Sequence, residues 1–380
     1  MKIQHLVTFF WLFACAALAK DPQLEHVNVY TAGDDGYKTY RIPALEIAPD
    51  GTLLAFAEGR KQSGRDPGDD KEQDVELVLK RSTDDGKTWS AMKIIEDPGR
   101  YWSAANVSTV VDRDTGKIWV VDLRCGPGLS MRASRPGTND TQTMARFSSD
   151  NGVTWSEPID LTAVARDMED HDWNASATGV GGGIQTTGGR LLVPCFRHPF
   201  GVFAIYSDDH GQSWSRGELV PGSDVANESQ LIELADGRIM LDMRQEKGPW
   251  RGRSISGDGG ETWSELVNSQ KVSRCACAIE RLTLKSAGDD RNRILWTGPK
   301  GPGRITLVAR LSYDEGESYP VEKVLYQPPA AYSDLVVLKD GTAGCLWERA
   351  QNPEVGNKID NICFTRFGLS HLEPQSESNR

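Results

Sequence analysis

The chain has 380 residues, a formal net charge of −11 and a sequence pI near 5.2. An acidic chain of this kind is a poor partner for nucleic acid or an anionic membrane surface, so an anionic ligand would have to be held by a local cationic pocket. Beyond residue 19 there is no second long apolar stretch, no low-complexity segment and no Ser/Pro linker, which argues against a membrane span and for one large domain over 20–380.

The chain opens on Met1-Lys2, an apolar run from Leu6 to Leu18, and Ala17-Leu18-Ala19 before Lys20. This pattern predicts a signal peptide over 1–19, too short to span a membrane, and export to the periplasm or the exterior. A second reading places a lipoprotein-type site at Cys15 in Leu12-Phe-Ala-Cys15. Six cysteines remain past that segment, and in a chain this long they read as buried thiols rather than a disulfide framework. No Cys/His spacing resembles a zinc site, so neither metal nor cofactor is expected.

Five copies of one box punctuate the rest. They run Ser82-Thr-Asp84-Asp-Gly86-Lys-Thr88-Trp89, then from Ser148 to Trp155, Ser207 to Trp214, Ser256 to Trp263 and Ser312 to Tyr319. Their aspartates are spaced by 66, 59, 49 and 56 residues, the length of a small antiparallel sheet with its loops. Between boxes lie simpler turn signals at Asp50-Gly51, Thr115-Gly116, Gly188-Gly189, Asp236-Gly237, Gly288 to Arg293 and Asp340-Gly341. Two hairpin turns per unit predict four-stranded meanders. Six units, the last using a degenerate turn near Gly356-Asn357, predict an all-β, six-bladed β-propeller of four-stranded antiparallel sheets. The stretch Leu161–Asp170 is the one candidate helix. Within each box the Asp and hydroxyl side chains are suited to bonding turn amides, Gly to a positive φ, and the ring to packing on its own blade. The box aspartates are therefore expected to be scaffold and to bind no metal.

Several separate motifs occur in a fixed order: Tyr40-Arg41-Ile42-Pro43, an acidic loop before the first box, Asn227-Glu228, Arg244 sixteen residues later, Arg304 eight residues before Ser312, and Ala331-Tyr332-Ser333-Asp334. With the boxes, they resemble the sialidase (neuraminidase) family of glycoside hydrolases over the whole chain past residue 19. The resemblance implies an exo-α-sialidase that releases terminal sialic acid with retention, through a tyrosyl-sugar intermediate. Arg41, Arg244 and Arg304 would clamp the substrate carboxylate, for which planar, always-ionised forks are well suited. Tyr332 would be the nucleophile, since a phenol approaches an anionic sugar without the repulsion a carboxylate meets, and Glu228 would be its base. Glu348 would hold Arg41, and Arg60 would reach a substrate hydroxyl.

The family's acid is an Asp eleven or twelve residues before the first box. Here Lys71 takes the eleven position and Asp70 the twelve, so Asp70 is chosen over Asp69 and Asp66 of the same loop. Sialylated glycans are the expected partners and a monomer the expected state. The rival readings are an enzyme for another ulosonic acid, of the deaminated or 3-deoxy-octulosonic type, and a non-catalytic glycan- or protein-binding propeller. Asn106-Val-Ser108 and Asn174-Ala-Ser176 match the glycosylation sequon.

Overall fold

The computed structural model describes residues 24–350 and 359–373. The expected signal peptide with Cys15 and the turn near Gly356-Asn357 lie outside the described residues. What is described is all β, with short helical turns only. No helix among the described residues is long and apolar enough to cross a membrane. The expected helix over Leu161–Asp170 contracts to Thr162–Ala165, because Arg166 already takes extended backbone (φ −136°, ψ 137°). Its buried guanidinium donates to the carbonyls of Asn174 and Thr138, which ties the following chain down outside a helix.

The tight turns fall where the dipeptides place them. Asp50-Gly51 joins Thr39–Ile47 to Leu53–Arg60, Asp236-Gly237 joins Ala226–Glu233 to Ile239–Gln245, and Asp340-Gly341 joins Val321–Val337 to Ala343–Arg349. Hydrogen bonds gather the strands into four sheets of eight, seven, five and four strands. In the largest, the antiparallel run from Thr39–Ile47 through Val75–Ser82 meets the next run, beginning at Ser103–Asp112, through one parallel pair, Val75 with Ser103. The long strand Val321–Val337 serves two neighbouring runs: its first half pairs with Ile305–Ser312 and its second with Ala343–Arg349. The N-terminal strand His26–Thr31 completes the last run by pairing with Asn361–Phe367.

The five boxes share one hydrogen-bond pattern. In the first, Ser82 Oγ donates to Asp84 Oδ1 at 2.8 Å and accepts from Gly86 N at 2.9 Å, while Thr88 donates to Asp84 from its amide at 2.9 Å and its hydroxyl at 2.6 Å. These bonds, led by the Thr88 hydroxyl, pull the Asp84 carboxyl down to about 2. Three of the box rings meet an aromatic ring outside their own run of strands, where packing on their own blade was expected. Trp89 meets Phe364 edge-on at 5.5 Å, Trp155 meets Phe56 at 5.9 Å and Trp214 meets Trp119 at 5.7 Å, in each case a residue of the preceding run of strands. The box glycine turns the chain flat against that neighbour, and the ring follows it. The six described cysteines are all buried free thiols, as read from the sequence.

Candidate active site

Four strands carry a register shift, three near their N-terminal ends and the fourth midway along Val321–Val337, where the second half of that strand begins a new run. The shifts fall between Arg41 and Ala44, Ala105 and Ser108, Ala226 and Ser229, and Ala330 and Ser333. Each leaves two residues out of the ladder: Ile42-Pro43, Asn106-Val107, Asn227-Glu228 and Ala331-Tyr332. A bulge of this kind bends the strand and re-aims a side chain. Ile42 and Asn106 also take left-handed backbone, at φ 58° and 51°, strained for a β-branched residue and tolerated where the surrounding fold fixes it. Each bulge sends at least one residue, namely Ile42, Asn106, Asn227 with Glu228, and Tyr332, to one cavity of about 450 Å³, a size suited to a small ligand.

On its floor, Tyr332 Oη donates to Glu228 Oε1 at 2.5 Å. Arg244 Nη1 donates to both members of that pair, to Glu228 Oε2 at 2.7 Å and Tyr332 Oη at 3.0 Å, and its Nη2 reaches Glu246 Oε1 at 2.7 Å. Burial, then the neighbouring Glu228, push the Tyr332 phenol well above its ordinary value, so it rests protonated, while Arg244 and Arg304 pull the other way.

Arg41 is held from below by Glu348, which accepts Nε at 2.6 Å, Nη2 at 3.3 Å and the Ile42 amide at 2.9 Å. Burial favours the neutral acid, yet the Arg41 guanidinium holds the fully buried Glu348 below the usual range. Arg304 stands over the Tyr332 ring with its guanidinium carbon 5.1 Å from the centroid, and Arg41 does so at 5.6 Å. Among the described residues Arg304 has no carboxylate partner and Arg41 Nη1 has no acceptor. Two cationic forks thus keep donors for a ligand anion beside a phenol already bonded to a base. Leu123, Met131, Phe196 and Phe200 give the cavity an apolar side.

A family model for a BNR repeat-like domain matches residues 51–345. The sialidase of Clostridium perfringens is 31% identical over 364 residues, covering 90% of this chain and 87% of that protein. The chain belongs to the sialidase family. The sialidase of Micromonospora viridifaciens is 31% identical across 93% of this chain, which spans 55% of that longer protein. The solved structure of Hadza microbial sialidase Hz136 matches with a TM-score of 0.80 at 26% identity, over 91% of this chain and 69% of that one.

In this sialidase-family chain the structure brings Arg41, Glu228, Arg244, Arg304 and Tyr332 to one cavity, with Glu348 directly behind Arg41. Asp70 is the exception. The acidic loop presents Asp66 and Asp69 to the cavity, whereas Asp70 is not among the lining residues and accepts the Glu72 amide at 3.4 Å. The physical reason is the path of the loop. Asp69 N bonds Asp66 O at 3.0 Å, closing a turn whose two ends, Asp66 and Asp69, both line the cavity.

Arg60 lines the cavity but is committed to protein. Nε and Nη2 donate to Glu58 Oε2 at 3.0 and 2.7 Å, and Nη1 to the carbonyls of Gly64 and Arg65, both at 2.9 Å, and to Asp66 Oδ1 at 3.3 Å. All three of its nitrogens thus already donate to Glu58 and the acidic loop. Sequence reasoning also missed Glu246, which accepts from Arg244 and, at 2.8 Å, from Asn227 Nδ2; its two-residue step from Arg244 along the chain was the available signal. Asn106 of the first sequon lines the cavity, where a glycan would occupy the site.

Proposed function

We propose that the chain is an exo-α-sialidase acting with retention, its meanders arranged as six blades around the cavity. The packing of each box on the preceding run, with the first box against Phe364 of the last, supports a closed ring. The observation that carries the activity is the 2.5 Å contact of Tyr332 Oη with Glu228 Oε1 beneath unpaired arginine donors.

In this reading Arg41 and Arg304 take the substrate carboxylate, joined by Arg244, which also steadies the Tyr332–Glu228 pair. Tyr332 Oη attacks the anomeric carbon as Glu228 takes its proton, and Asp66 protonates the departing glycosidic oxygen. Water then attacks the same carbon and gives a proton to Asp66, while Tyr332 leaves as a phenol, recovering its proton from Glu228. Asp66 replaces Asp70 because it lines the cavity and its charge is felt by Arg41. Export directed by residues 1–19 belongs to the same proposal.

Tyr332→Phe tests it. With aryl α-ketosides of sialic acid and of its deaminated analogue as substrates, the variant is expected to lose on the order of a thousandfold or more in kcat, with an unchanged circular dichroism spectrum. Turnover near wild type would remove Tyr332 as nucleophile, and release of the deaminated sugar alone would move the substrate to another ulosonic acid.

A further inference from the structure

A second hollow, of about 810 Å³, adjoins the catalytic cavity and shares Arg304 with it. Its wall is cationic: Lys271, Arg274, Lys300, Arg304 and Arg310 line it, with no carboxylate among the described lining residues. Glu322 accounts for two of these charges, pairing with Lys300 Nζ at 2.5 Å and Arg310 Nη2 at 2.9 Å. Lys271, Arg274 and Arg304 have no carboxylate partner among the described residues.

The first two are positioned all the same. Lys271 rests its ammonium over the Trp250 ring at 4.9 Å, and Arg274 Nη1 donates to the Glu246 carbonyl at 2.7 Å. Because Glu246 is also the Arg244 partner in the catalytic cavity, Arg274 sits at the rim between the two hollows. Three uncompensated cations in one wall repel one another, an arrangement that an anion would relieve. They are also out of keeping with a chain of net charge −11.

We propose that this hollow is the aglycone subsite and that it takes a second anion, a carboxylate or sulfate on the sugar next to the one released. The inference rests on the sialidase reading above and specifies its substrate class. Arg304 then divides its donors between the carboxylate of the departing sialic acid and the field that holds the next residue. Lys271 and Arg274 are exposed, so replacing them leaves the core untouched.

The test compares kcat/KM for three substrates, namely sialyllactose, whose aglycone is neutral, an α2,8-disialyl lactose, and a sulfated sialyllactose, with wild type and a Lys271→Gln/Arg274→Gln double variant. Wild type is expected to prefer one or both anionic aglycones, and the preference to shrink as salt is raised. In the double variant the anionic-to-neutral ratio should fall by about fivefold, the scale of two exposed charge contacts, with turnover of sialyllactose nearly unchanged. Preference for the disialyl or for the sulfated compound identifies which anion is read. A flat ratio in wild type, or one the double variant leaves intact, overturns the subsite while the sialidase reading stands. Absence of sialic acid release from every substrate overturns both.

Discussion

Tyr332 reaches a carboxylate and a guanidinium at once, and the two contacts do different things. Glu228 accepts the phenol's proton, whereas Arg244 Nη1, at 3.0 Å from the same oxygen, is a donor that strengthens as charge develops there. In the proposed reaction, attack and departure of the tyrosine would therefore need no rearrangement of either partner. The proposal gives the other half of the chemistry to Asp66, whose side chain is 74% exposed at the cavity mouth and tethered by Arg60. An acid matters most when the leaving oxygen is a poor leaving group. Asp66→Asn should accordingly slow release from sialyllactose by about a hundredfold or more and from an activated aryl sialoside by less, because there only the activation of water in the second step is lost, whereas Asp70→Asn should match wild type on both. Paired steady-state assays decide it, and a larger loss in the Asp70 variant would restore the sequence-based choice.

At the level of elements, the box is a clip between neighbouring runs of strands. Gly211 shows what this demands: φ is +82°, and a methyl group there would lie 2.1 Å from Cζ2 of Trp119. Gly237, at φ +87° in a plain hairpin turn, has nothing within 4 Å. Both substitutions to alanine carry a left-handed backbone cost of about 1 to 2 kcal/mol, but Gly211→Ala adds overpacking of about 1 to 3 kcal/mol. Urea unfolding should therefore show Gly211→Ala to be the more damaging by about 2 kcal/mol, and equal losses would mean that the box does not bear on the neighbouring sheet.

The internal bonding of the box was legible in the sequence because it is local, from Ser82 to Asp84, Gly86 and Thr88. Its direction of packing was not, since nothing in eight residues says which sheet lies behind them. The same division holds at the site. Arg41, Glu228, Arg244, Arg304 and Tyr332 could be picked out as motifs, but the bulges that aim them leave no mark on hydrophobic alternation. The count that picked Asp70 did not locate the acids lining the cavity, Asp66 and Asp69, because a residue count along a loop says nothing of where that loop turns.

Across the whole molecule the motif residues have a structural counterpart two positions on. Gln230 follows Glu228, and Asp334 follows Tyr332. Gln230 Nε2 donates to Asp334 Oδ1 at 2.8 Å and to Val180 O at 3.1 Å, its Oε1 accepts from Ile279 N at 2.9 Å, and Asp334 Oδ2 accepts from Leu45 N at 2.7 Å. Strands from four parts of the chain are thereby tied beneath the cavity, which keeps the arginines and the phenol in register.

The arrangement also concentrates acid. Glu46 lies five residues from Arg41 on the same strand, roughly 16 Å away, and Glu280 faces both Glu46 and Asp334. Burial is the main cause that raises Asp334 to about 6, Glu46 to about 7 and Glu280 to about 8, and mutual repulsion adds to it for both glutamates. Backbone amides oppose the shift in all three, Arg281 opposes it at Glu280 and Thr109 at Glu46.

Carboxyls in the unfolded chain titrate near 4, so between about pH 4 and 8 the folded state binds more protons than the unfolded one. Stability must then fall as pH rises through that window, and the contribution is fully lost only above about 8. Glu46 and Glu280 keep some exposed surface, which trims the effect to on the order of 2 kcal/mol. Thermal unfolding should give a Tm that declines from pH 5 to pH 8. Glu280→Gln, neutral in both states, should raise Tm over wild type at pH 8 and change it little at pH 5, so that parallel Tm curves for the two proteins would show the acids under the cavity to be uncoupled from folding.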